Sequence, residues 1–192
     1  NRLITKLKKN KCILLNGNET YLDKMLSIND VISCDLNFEE SSDNIIPTKM
    51  DLNIIYEDDS LLVINKAPNI AVHPSILHYE NSLANGVKYY FESIGLNKKI
   101  RPVNRLDKDT SGYMLVAKSS QAHALLSKDI KQVQRIYHCL VDGHLKEDGY
   151  VEQPLLKSED SIKRIIDEKG QYAKTYYHIL EQRENQTLVE CE

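Results

Sequence analysis

Apolar residues fall along this chain in short runs whose period changes from one stretch to the next. Leu3, Ile4 and Leu7 recur at helical spacing with lysines on the other face, which predicts a short amphipathic helix. The apolar run 12–15 and the turn pair Asn16-Gly17 follow, then Asn29-Asp30 and a second run, 31–34. Both runs predict short strands. Residues 37–50 are polar, acidic and aperiodic and read as a linker. Beyond Asp51 the apolar positions regroup. Runs 54–56 and 61–64 flank the acidic turn 57–60, the pattern of a hairpin. The stretch 82–93 carries Leu83, Val87, Tyr90 and Phe91 on one helical side, and Ser120 opens a second helix with Ala122, Leu125 and Leu126. Residues 112–118, 136–141, 172–180 and 188–191 read as strands. Strands outnumber helices in a mixed order, which predicts an α+β fold divided into 1–36, a linker 37–50 and a larger domain 51–192. The final strand runs to the end of the chain, so more sheet is expected downstream.

Composition narrows the class. Hydrophobic residues make up 41% and charged residues 28% of 192 positions, which excludes a wholly disordered chain, a collagen-like rod and a coiled-coil rod. The longest apolar runs, 61–64 and 114–117, are too short to span a bilayer. The N-terminus lacks the pattern of a secretory signal, and the missing initial methionine suggests a fragment. Cys12, Cys34, Cys139 and Cys191 are far apart in sequence. They form no CxxC or zinc-ribbon motif and read as free thiols of a cytoplasmic protein. No apolar seam suggests an oligomer, so a monomer is expected.

Charge adds a partner. Residues 1–11 hold Arg2, Lys6, Lys8, Lys9 and Lys11 and no acid; residues 98–108 hold Lys98, Lys99, Arg101, Arg105 and Lys108 against Asp107 alone. Two basic clusters on a chain of net charge −3 point to a local polyanion site. The plainer reading is that short lysine runs are solvated faces.

The densest chemistry lies in RPVNRLDKDTSG, residues 101–112, just before a strand. Three readings compete. A calcium loop starting at Asp107 would need an acid at its twelfth position, where Lys118 stands. A structural turn explains Asp109, Thr110 and Ser111, whose side chains can bond their own backbone. A catalytic loop explains Arg105 and Asp107, because a carboxylate among cations stays ionised and can attack carbon or relay a proton.

NRLDKDTSG at 104–112, followed by LVAK at 115–118, resembles the catalytic motif of the RluA-type pseudouridine synthases, HRLDxxT(S/T)G and an apolar strand ending Ala-Lys. IIYEDDSLLVINKAP at 54–68 and AVHP at 71–74 resemble that family's opening hairpin and loop; RIYHCLVDG at 135–143 and 173–180 resemble later strands. LLNG at 14–17 and INDVI at 28–32 resemble an S4-type RNA-binding module. The resemblance implies a mainly antiparallel mixed sheet with flanking helices, preceded by a small S4-like α/β module.

It also implies a reaction. Asp107 falls on the catalytic aspartate, which acts at the ribose, by attack on C1′ or through a glycal, while the uracil–C1′ bond breaks and the base re-attaches through C5. Tyr137 falls on the tyrosine that stacks on the target base, and Arg105 on the arginine that holds the uridine out of its stack. Structured RNA is the implied partner, and the two basic clusters offer Lys6, Lys8, Lys9, Lys98, Lys99, Arg101 and Lys108 as its expected contacts; no cofactor and no metal is implied. Asn104 departs from the family histidine, a change expected to be tolerated. A later basic motif is expected beyond Cys191, so the chain alone is expected to be weak or inactive. His73 reads most simply as structural, and Lys118 faces either RNA or solvent. The competing functions are a non-catalytic RNA-binding protein and a glycoside-cleaving enzyme using Asp107 and Asp109.

Overall fold

The computed structural model describes residues 2–36, 42, 44–76, 78–158 and 163–192. Its contacts divide the chain into two compact units, Asn1–Ile130 and Lys131–Glu192.

The first unit opens with α1 (Arg2–Lys9) and a three-stranded antiparallel sheet of β1 (Ile13–Leu15), β2 (Asn18–Glu19) and β3 (Ile32–Cys34), with β1 in the middle. Asn16 and Gly17 take φ of 51° and 81°, the pair of positive angles that a two-residue hairpin needs. Leu7 and Leu15 are buried, while Ile4 remains exposed, so the helical stripe is used only in part.

A second antiparallel sheet follows. It is built from β4 (Ile54–Glu57), β5 (Leu61–Lys66), β6 (Arg101–Pro102) and β7 (Gly112–Ala117) in the order β4-β5-β7-β6. The expected hairpin is β4–β5. Alternate residues of β5 are buried, and Leu62 and Ile64 join Met114 and Val116 of β7 in one core with Leu83, Val87 and Phe91 of α2 (Leu83–Ser93). Each such side chain contributes about 1.5–3 kcal/mol on burial. Buried Asn85 accepts the Ser82 backbone N–H at 3.0 Å and donates to the carbonyls of Ile46 and Tyr79 at 2.8 and 3.1 Å. The helix start is thereby tied to two flanking segments.

Residues 37–41 and 43 of the stretch read as a linker lie outside the described residues. The rest packs. Ile45 lies against the core, Thr48 N–H bonds Asn85 O at 3.2 Å, and the Ser42 hydroxyl accepts Ile100 N–H at 3.3 Å. The helix expected from Ser120 is α3 (Ser120–Asp129); its cap is Ser119, whose hydroxyl accepts Ala122 N–H at 3.0 Å. The apolar stripe read on that helix is not buried, and Leu125 is 68% exposed.

The second unit is a five-stranded antiparallel sheet. Its strands are β8 (Tyr137–Asp142), β9 (Gly149–Lys157), β10 (Arg164–Ile166), β11 (Gln171–Gln182) and β12 (Gln186–Cys191), in the order β10-β9-β11-β12-β8. β9 and β10 add a hairpin that the apolar pattern did not reveal. The architecture is thus α+β with antiparallel pairing among the described strands, as expected. No described helix is long and apolar enough to cross a membrane.

Candidate active site

The segment 103–111 leaves β6 and returns as β7, and Asn104 fixes its first bend. Asn104 Oδ1 accepts Leu115 N–H at 2.8 Å and its Nδ2 donates to Tyr113 O at 3.0 Å, beside a backbone bond from Val103 N–H to Leu115 O at 2.7 Å. An opposed antiparallel pair normally exchanges two backbone bonds. Here the Asn104 amide takes over the acceptor role that the Val103 carbonyl would fill. Asn104 thus has a structural role at the start of the loop. Leu106 then packs against the core, and its neighbours Arg105 and Asp107 are exposed, the in–out alternation of extended chain. Thr110 N–H closes a turn onto Asp107 O at 3.2 Å.

That turn rests on Lys66, which occupies the third buried position of β5 after Leu62 and Ile64. Lys66 Nζ donates to the carbonyls of Ala67, Ile70 and Lys108 at 2.9, 3.0 and 2.9 Å. Three carbonyls match the three protons of an ammonium. Burial pushes the Lys66 pKa down, and the charges of Asp109 and Asp107 partly oppose this. The sequence offered a signal for it: a lysine continuing an alternating apolar face must bury its charge and find acceptors.

His73 lies in the loop after β5. Desolvation by the surrounding protein, and then the Arg105 cation, hold its pKa below the ordinary 6.5. The residue read as plainly structural therefore sits within the field of the motif arginine. Lys118 requires a correction, because it faces neither RNA nor solvent. It is buried, with Nζ 2.6 Å from Glu57 Oε1 and 2.5 Å from Asp58 O. Tyr90 donates to the other Glu57 oxygen at 2.5 Å. The reason lies in strand order: Leu61 pairs with Ala117, which brings the residue after β7 onto the β4–β5 turn.

Of the basic residues read from the sequence, Lys6, Lys8, Lys9, Lys99 and Lys108 are exposed. Arg101 is half-buried and donates to Lys99 O at 2.8 Å. Lys98 is buried at 8% exposure, on the same alternation as the core residue Ile100. Its reading as a surface RNA contact fails for that reason. Arg105, Asp107 and Lys108 thus share one loop with Lys66 beneath it. Tyr137 belongs to the second unit. It stands on β8 opposite Cys191 of β12 and lines a cavity of about 470 Å³ together with Arg135, Thr175, Cys191 and Glu192.

Comparison with known proteins places the chain in a family. The family described as RNA pseudouridylate synthase matches residues 60–192. The chain is 34% identical to the uncharacterized RNA pseudouridine synthase YjbO of Bacillus subtilis across 98% of its own length and 68% of that protein. The chain belongs to the RNA pseudouridylate synthase family. It is also 36% identical to the ribosomal large subunit pseudouridine synthase D of Zymomonas mobilis, over 76% of this chain and 49% of that protein. The chain therefore spans about half to two thirds of the curated relatives it matches. Its fold resembles the solved human RNA Pseudouridylate Synthase Domain Containing 1, with TM-score 0.61 and 20% identity over 80% of this chain and 61% of that one. The human protein Domain Containing 4 gives 0.58 and 22% over 72% and 57%.

Proposed function

We propose that the protein isomerises uridine to pseudouridine in structured RNA, ribosomal RNA ahead of transfer RNA, with Asp107 as its catalytic carboxylate. The observation that carries this reading is how Asp107 is held. It is exposed, in a turn fixed to β5 by Lys66 and to β7 by Asn104. A carboxylate so held can meet a nucleotide at the surface, and a base must leave its stack before its glycosidic carbon is reachable. In the reaction N1–C1′ breaks, C5 of the same base bonds C1′, and the C5 proton is lost while N1 gains one, so no co-substrate is consumed. Tyr137 is assigned to stack on the base and remove that proton, and Arg105 to hold the uridine out. Lys6, Lys8, Lys9, Lys99, Arg101 and Lys108 are assigned to the RNA backbone. Residues 1–36 act as an S4-like RNA-binding module ahead of the catalytic domain, in a cytoplasmic monomer. The Zymomonas relative, named for the ribosomal large subunit, supports the ribosomal preference.

The test maps pseudouridine in ribosomal and transfer RNA of the source cell carrying either wild-type protein or Asp107→Asn. Loss of one or a few pseudouridines in the variant is the expected result and names the substrate. An unchanged map, with protein still co-purifying with RNA, would replace the enzyme by the RNA-binding reading.

A further inference from the structure

The four cysteines are all free thiols, but two of them meet. In the β8–β12 register Tyr137 pairs with Cys191 and Cys139 with Val189. Residues two apart on a strand share a face, so Tyr137, Cys139, Val189 and Cys191 all lie on one side of the sheet, with the cysteines on a diagonal. Their sulfurs are 3.5 Å apart. Strand twist shortens one of the two diagonals between paired strands, and a disulfide needs about 2.05 Å between sulfurs. The remaining gap is about 1.5 Å, from sulfurs already in contact to bonding distance. In this 192-residue chain Cys139 is exposed and Cys191 half-buried, which leaves the pair open to an oxidant. The other two cysteines are arranged differently. Cys34 pairs with Ile13, one residue away from Cys12, and the Cys12 thiol donates to Asn10 O at 3.3 Å.

We propose that Cys139 and Cys191 form a reversible, peroxide-sensitive disulfide in the wall of the Tyr137 cavity. Cys139 reacts first. Its sulfur attacks hydrogen peroxide, the O–O bond breaks, and the departing hydroxide leaves as water with the thiol proton. This gives a sulfenic acid on Cys139. Cys191 sulfur then attacks Cys139 sulfur, the S–O bond breaks, and the second hydroxide takes the Cys191 proton as water. Two thiols and one peroxide give one disulfide and two waters. The order follows from the surroundings: Cys139 is the exposed thiol and Cys191 the half-buried one, and burial with the hydrogen bond to Cys139 pushes the Cys191 thiol up to about 11. Cys191 is therefore the poorer first nucleophile and the resolving one. A short-lived disulfide of this kind is compatible with a reducing compartment.

The experiment uses the reduced 192-residue chain, a modest excess of hydrogen peroxide, alkylation of the remaining thiols, trypsin and mass spectrometry. The expected product joins peptide 136–146 to peptide 184–192, and dithiothreitol reverses it. Two of the four thiols per chain become resistant to alkylation, while Cys12 and Cys34 stay reactive. Cys139→Ala and Cys191→Ala abolish the linked peptide, with far-UV circular dichroism reporting whether each variant folds. The wild-type result stands without them. Three outcomes overturn the proposal: sulfinic acid accumulating on Cys139 with no cross-link, a link to Cys12 or Cys34, or a link only between chains.

Discussion

The Lys66 ammonium lies 2.9 Å from the Lys108 carbonyl, joining the end of β5 to the residue after Asp107. Lys66→Met removes the donor from three carbonyls at once. Leaving partly buried acceptors without their shared donor costs about 1 kcal/mol or more, so the urea midpoint should fall accordingly. Lys66→Arg should recover little of it, because a planar guanidinium cannot present three protons in the geometry of an ammonium. An unchanged midpoint in Lys66→Met would show that the lysine does not hold the turn.

Asn104 makes two bonds to the backbone of β7. Asn104→Asp keeps the acceptor for Leu115 N–H but sets a carboxylate oxygen against the Tyr113 carbonyl. A loss of about 1–2 kcal/mol is expected, read as a lower Tm. Asn104→Ala loses both bonds and should fall at least as far. A tie between Asn104→Asp and wild type would mean that the donor half of the contact is idle.

Acid should act through Glu57. Burial opposes its charge, but the hydrogen bonds from Lys118 and Tyr90 and the Lys118 charge outweigh it, so its carboxyl lies below the ordinary 4.5. A depressed folded-state value means that the contribution is complete above pH 4.5 and is lost as pH falls through the lower folded value. Glu57→Gln should therefore be less stable than wild type at neutral pH, by up to about 3 kcal/mol because Lys118 is left buried without a countercharge. Its stability should also decline less on acidification. Chemical denaturation at neutral pH and below pH 4.5 reads both effects.

Gly170 sits in the turn between β10 and β11, where a methyl group would lie 2.5 Å from the Leu155 carbonyl carbon and 2.7 Å from Leu155 N and Leu156 N. Backbone atoms of β9 cannot yield as a flexible side chain would. Gly170→Ala should cost about 1–3 kcal/mol, with faster amide exchange in β9 and β10 than in β4, β5 and β7. Uniform exchange across both units would contradict a local clash.

What the sequence disclosed depended on whether neighbouring residues were enough to specify it. The β4–β5 hairpin and α2 were legible because each carries its own period, and the loop 104–112 because its motif is contiguous. β9 was not. Pro154 breaks its donor ladder, and Glu152 and Gln153 hide its apolar positions, so its pairing with β11 from Gln171↔Leu155 to Tyr177↔Gly149 is settled by the partner strand. Lys98 and Lys118 carried the charge of surface residues, and only their place in the packing shows them buried. The meeting of Cys139 and Cys191 likewise depends on a register between strands that are distant in sequence.

The amide of Asn104 has one more consequence. Because a side chain completes the strand contact, the main chain is released from the sheet edge early, and Asp107 follows only three residues later. Few torsions separate the carboxylate from a fixed support, and Leu106 anchors the span between them. A short lever has a small arc: thermal motion of the sheet edge reaches Asp107 with little amplification, and its position is inherited from β7 rather than searched for by a loose loop.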